Sequence, residues 1–89
     1  MGVTPRSVTV SHQRTRWGSC SATGALRFSS RMAPLPDEVF DYVVVHELAH
    51  MKVFNHSRRF WNEVETQCPD YRSHRKWLRQ NGWKAKWTD

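Results

Sequence analysis

The chain has 89 residues, room for one compact domain with a modest core and not for two domains of ordinary size. Fourteen Lys and Arg against eight Asp and Glu give a formal charge of +6, a balance that suits a nucleotide or nucleic-acid partner. The cations are scattered, however, and read first as a solvated basic surface. Cys20 and Cys68 are far apart and form no CxxC, which argues against a disulfide framework or a cysteine metal site. No apolar run resembles a secretion signal or reaches the roughly 18 residues that span a membrane, so a reducing, cytoplasmic setting without a membrane partner is expected.

From Ser7 to Cys20, Val8, Val10 and His12 alternate with small polar residues, and a second run from Ala25 to Met32 alternates around Leu26 and Phe28. Period-two alternation predicts strands. Ser21-Ala22-Thr23-Gly24 between them reads as a turn that uses Gly24 for a positive φ, giving an antiparallel hairpin. Pro34 and Pro36 then end the sheet portion.

After Pro36, Asp37 and Glu38 occupy the position where a helix N-terminus attracts acidic groups. Val39, Phe40, Val43, Val44, Leu48 and Met51 nearly encircle the axis of a helix over about 37–54, which should be buried on most sides. Asn55 tolerates the left-handed conformation that often ends a helix, and Ser57 is a suitable N-cap for a second helix through Gln67. Pro69 breaks the chain, and Asp70 can cap a third helix carrying Tyr71, His74, Trp77 and Leu78, ended by Asn81 and Gly82. The Trp-containing tail after Gly82 is unassigned.

The chemistry is concentrated in the central helix, where His46-Glu47-Leu48-Ala49-His50 forms an HExxH run. Two imidazoles at i and i+4 share one helix face, about 5 to 6 Å apart at Cβ, and can grip one ion. Zinc takes neutral imidazole, and a catalytic site keeps three protein ligands and one open position. Glu47, beside the first histidine, is the candidate general base. Two histidines and a glutamate are costly in an apolar helix unless partnered, which makes a metal the economical explanation.

The third ligand should come from beyond the helix. His56, just past Asn55, is the favoured candidate, with Glu63 on the next helix and His74 further on as alternatives; Glu63 could equally orient an imidazole from outside the ligand set. The spacing of His46, His50 and His56 matches metzincins, yet those have glycine three residues after the second histidine and this chain has Val53. A separate zincin type, with the helix running on to about Phe54, is the expectation.

Several motifs in order carry a resemblance: Arg16-Trp17-Gly18-Ser19-Cys20, the helix from Tyr42 to His50, Asn55-His56-Ser57 with Phe60-Trp61, and Pro69-Asp70-Tyr71 with Trp77-Leu78. Together they resemble the YgjP-like family of metal-dependent hydrolases, related to the SprT-like and other zincin metallopeptidases, over about Arg14 to Gly82. The resemblance implies an α+β zincin-like core in which a short antiparallel hairpin precedes three helices and the HExxH helix is central. It also implies His46, His50 and His56 as ligands of one zinc ion, Glu47 as the base, and a hairpin beside the metal cleft.

The leading functional reading is therefore a single-domain zinc hydrolase, residues 1–89, cleaving amide bonds in a peptide or protein substrate. Tyr71, His74 and Arg72 are candidates to stabilise an oxyanion. Trp17, Gly18 and Ser19 could form a strand edge along which an extended peptide lies; alternatively Trp17 belongs to the core. Phe60 and Trp61 read as core. A second reading is a metal-dependent phosphohydrolase acting on nucleotides, with Arg14, Arg16 and Arg27 as phosphate clamps. A third is a nucleic-acid-associated, protease-like domain.

Overall fold

The computed structural model describes residues 2–12 and 16–81. Three strands, β1 (Ser7–Ser11), β2 (Gly18–Cys20) and β3 (Ala25–Ser29), are followed by three helices, α1 (Asp37–His50), α2 (Arg58–Gln67) and α3 (Tyr71–Asn81). The architecture is α+β, with the HExxH helix α1 packed against β2, α2 and α3.

The expected hairpin is β2–β3, antiparallel with Gly18 opposite Phe28 and Cys20 opposite Leu26. Its turn is closed by the Gly24 amide donating to the Ser21 carbonyl at 3.0 Å, and Gly24 adopts φ +84°. The first strand departs from expectation in its pairing. The run from Ser7 is not one strand with Gly18–Cys20: residues 7–11 form a separate strand that pairs parallel with β3 on its other side, giving the order β1-β3-β2. Alternation fixes which residues share a face, not the partner or its direction.

Leu26 and Phe28 of β3 are buried, whereas Val8 and Val10, paired with them in register, stay 56% and 68% exposed. The helix layer covers the β2–β3 side of the sheet and leaves β1 at its rim. Strand β3 also stops sooner than the alternation implies: Ser29 caps a 3-10 turn, Ser30–Met32, by accepting the Arg31 amide on its hydroxyl.

Helix α1 starts directly after Pro36, with Asp37 and Glu38 in its first turn. Val39, Tyr42, Val43, His46, Glu47, Ala49 and His50 are buried, so the helix is enclosed on most sides. It ends at His50, four residues before the expected 54. The amides of Met51 and Lys52 donate to the carbonyls of Leu48 and Ala49, both at 3.0 Å, tightening the last turn into i to i−3 bonds. Met51 is right-handed (φ −68°, ψ −22°), and no described residue other than glycine has positive φ. Asn55 therefore does not provide a left-handed stop, and a β-branched Val53 is no obstacle to the exit.

Helix α2 follows an extended Ser57, whose carbonyl accepts the Trp61 amide at 3.1 Å. Its buried residues Phe60 and Val64 are one turn apart and face α1. After Pro69, the Asp70 carbonyl accepts the amides of Ser73 and His74, and α3 buries Tyr71 and Leu78. The Gly82 terminus and the tail beyond it lie outside the described residues.

Candidate metal centre

The tight exit from α1 is what assembles the site. His46 and His50 lie on one face of the helix, and the turn after His50 brings His56 back toward them. The potential ligand atoms of His46, His50 and His56 all lie within 4.8 Å of one another. The ring centroids of His46 and His50 are 5.0 Å apart, and those of His50 and His56 are 4.7 Å apart.

Phe60 backs the cluster. Its ring stacks on His50 at 4.4 Å and meets His46 and His56 edge-on at 5.0 Å each. Trp61 lies beside it, 5.8 Å from His46 and 6.2 Å from His56. The imidazoles are thus held in an aromatic cage with little rotational freedom.

The protonation state of His46 suits a metal. Burial, together with the neighbouring His50, His56 and Arg75 charges, lowers the His46 pKa from 6.5 to about 2, so this ring is neutral with a lone pair to offer. The His50 Nδ1–H donates to the Val53 carbonyl at 3.1 Å, the kind of bond that orients the ring of a histidine ligand. Three imidazoles converging in an apolar setting fit a borderline-soft divalent metal. The alternative third ligands lie elsewhere: Glu63 pairs with Lys52 at 3.5 Å, and His74 neighbours Tyr42 at 6.3 Å.

Glu47, 1% exposed, is the carboxylate of the site. It borders a cleft of about 230 Å³ together with Arg16, Ser19, Cys20, His50, Phe54 and His56. Cys20 was not singled out from the sequence, although it belongs to the quoted Arg16–Cys20 motif. Burial and then the nearby Glu47 charge push its thiol pKa up.

Of the three residues expected along a substrate edge, Ser19 borders the cleft. Gly18 is buried against Glu47 and Phe28. Trp17 is in the core, 4% exposed, and its carbonyl accepts the Ser29 amide at 2.8 Å. The oxyanion candidates disperse: Tyr71 is buried and stacked on Trp61, Arg72 is exposed over Tyr71, and His74 sits beside Tyr42. Arg75, which the sequence reading passed over, lies 4.7 Å over the Trp61 ring and acts electrostatically on His46. Of the three arginines in the phosphate-clamp reading, Arg16 borders the cleft, Arg27 is exposed on β3 and is not among the cleft residues, and Arg14 lies outside the described residues.

Residues 1–81 match the family described as YgjP-like, metallopeptidase domain. The chain belongs to that family. Membership makes it a metallopeptidase domain and accounts for a cluster able to hold a metal ion. No curated protein matches the chain. Among solved structures, this YgjP-like domain is similar to the metallopeptidase zymogen of Pyrococcus abyssi abylysin. The TM-score is 0.77 at 22% identity over 93% of this chain and 86% of that one, a likeness of fold. No helix among the described residues is long and apolar enough to cross a membrane.

Proposed function

We propose that this chain is a zinc-dependent peptidase in which His46, His50 and His56 hold the metal and Glu47 is the general base. The observation that carries the reading is the convergence of three imidazoles, two of which, His50 and His56, line one cleft with the buried carboxylate of Glu47. A zinc ion bound there supplies Lewis acidity, polarising a carbonyl and making water nucleophilic near neutral pH.

Glu47 takes the proton of the attacking water and returns it to the departing amine. Its burial keeps that proton from bulk solvent, and the close backbone of Gly18 fixes its stem. His50 is oriented by the Val53 carbonyl, and Phe60 keeps water from the back of the site.

Strand β2 is an edge of the sheet, and its residues Ser19 and Cys20 border the cleft. An extended peptide lying along that edge would gain main-chain hydrogen bonds and bring its carbonyl to Glu47. In this reading Ser19 lines the substrate, while Gly18 backs Glu47 and Trp17 anchors the strand from the core side.

The test is a cleavage assay on denatured protein and peptide mixtures with zinc-loaded chain, read as new N-termini. Wild type is expected to cut, and Glu47→Gln to lose about 10²- to 10⁴-fold in rate while keeping its metal. A Glu47→Gln protein as active as wild type would overturn the assignment.

A further inference from the structure

Helix α3 carries four cations and no acidic residue, and Arg72, Arg75, Lys76 and Arg79 recur at i, i+3, i+4 and i+7 on one face. With Trp61 and Tyr71 they line a groove of about 530 Å³ between α2 and α3. Like charges at this spacing oppose one another along a helix. Among the described residues, none of Arg72, Lys76 and Arg79 is ion-paired with a carboxylate. A polyanion lying in the groove would offset that repulsion.

The floor of the groove is built. Trp61 and Tyr71 stack at 5.2 Å with an interplanar angle of 19°. The Arg75 guanidinium lies 4.7 Å over Trp61 and that of Arg72 lies 5.4 Å over Tyr71. A guanidinium held over a ring loses rotational freedom, which lowers the cost of fixing it on a carboxylate with two hydrogen bonds.

The groove adjoins the metal cluster through Trp61, although it shares no lining residue with the Glu47 cleft. Trp61, which forms its floor, lies 5.8 Å from His46 and 6.2 Å from His56 on its other neighbours. Cations one helical turn apart recur at ~5.4 Å, close to the ~6.6 Å between same-face side chains of an extended peptide.

We infer that this groove is a subsite for acidic polypeptide, in which the exposed Arg72, Lys76 and Arg79 bind carboxylate side chains of a substrate segment leading away from the metal site, while Arg75 covers the Trp61 floor. The placement beside a cut site rests on the peptidase reading above; the binding of acidic peptide does not. Nucleic acid is the less suitable occupant, because both rings are already engaged by each other and by guanidiniums. Little ring face remains for the base stacking on which single-stranded nucleic acid depends.

The experiment uses Glu47→Gln protein, so that binding is read without turnover. Fluorescence anisotropy compares a Glu-rich peptide, its Gln-for-Glu counterpart, a single-stranded oligonucleotide of equal charge and a nucleoside triphosphate, each over a salt series. The acidic peptide is expected to bind at least about tenfold more tightly than the neutral one, with affinity falling as salt rises. Adding Arg72→Gln, Lys76→Gln and Arg79→Gln, all exposed positions, should abolish that preference without lowering the melting temperature.

Equal affinity for the two peptides, tighter binding of the oligonucleotide or triphosphate, or an acidic preference that survives the triple substitution would each overturn the inference. Acidic binding that obeys these expectations in a chain whose wild type cuts no peptide would leave the groove standing and remove the peptidase reading instead.

Discussion

A Cβ built on Gly18 would lie 3.1 Å from the Glu47 Cγ, with Phe28 Cδ1 at 3.1 Å and the Arg27 carbonyl oxygen at 3.2 Å. The edge strand and the carboxylate are thus packed as closely as a glycine backbone permits, and the position of Glu47 depends on the absence of one methyl group. Gly18→Ala should push Glu47 or Phe28 aside by a few tenths of an ångström. We expect a stability loss of about 1–3 kcal/mol from overpacking and a fall in kcat of up to about 10²-fold from the displaced base. Metal content should be unchanged. Urea denaturation, steady-state cleavage and elemental analysis of the same preparation separate the three; full activity would show that Glu47 tolerates displacement.

Phe60 holds all three imidazoles and is fully buried. Phe60→Ala should cost about 3–5 kcal/mol in the metal-free protein, and loosened rings should also weaken zinc affinity. Phe60→Leu, which fills most of the space without a ring face, should recover much of the stability and less of the affinity. Competition with a chromogenic chelator measures the second effect. Equal metal affinity in wild type and both variants would mean that the aromatic cage does not orient the ligands.

The depressed pKa of His46 makes metal-free stability pH-dependent with a definite sign. The ring binds a proton in the unfolded chain below 6.5 and in the folded chain only near 2, so the unfolded state takes up more protons across that window. Stability from this group is complete above pH 6.5 and declines as pH falls, by about 1.4 kcal/mol per pH unit at most. Urea midpoints of chelator-treated protein between pH 7.5 and 5 should fall accordingly, and His46→Phe should flatten the slope. A wild-type midpoint independent of pH would contradict the burial of a neutral His46.

The two thiols report on different surroundings. Burial and then the charge of Glu47 raise the Cys20 pKa, while burial and then Asp70 and Asp41 raise that of Cys68. Both should react slowly with iodoacetamide at pH 8 compared with a free thiol. In chelator-treated Glu47→Gln, Cys20 alone should speed up, read by peptide mass mapping. Unchanged Cys20 labelling in that variant would place Glu47 too far away to act on it.

Much of this site was legible in the sequence because its chemistry is local. HExxH on an apolar helix puts His46 and His50 on one face whatever surrounds them, and the proximity of His56 in sequence made its return to that face the favoured expectation. The end of α1 was not legible: it is made by i to i−3 bonds through a right-handed Met51, a closure that leaves no residue-type signature. The parallel pairing of β1 escaped because alternation at Val8 and Val10 carries no direction. Gly18 could be read as a close approach, but its partner, Glu47, is distant in sequence. The basic face of α3 was overlooked because Arg72, Arg75, Lys76 and Arg79 are dispersed along the chain and become one surface only at helical spacing.

The most direct test of the account is elemental analysis of purified wild type and of His46→Ala, His50→Ala and His56→Ala. The account predicts about one equivalent of zinc in the wild type and its loss in each variant, since three protein ligands define a catalytic zinc site. A folded wild type that takes up no zinc, or a His56→Ala protein that keeps its full equivalent, would contradict the three-histidine centre.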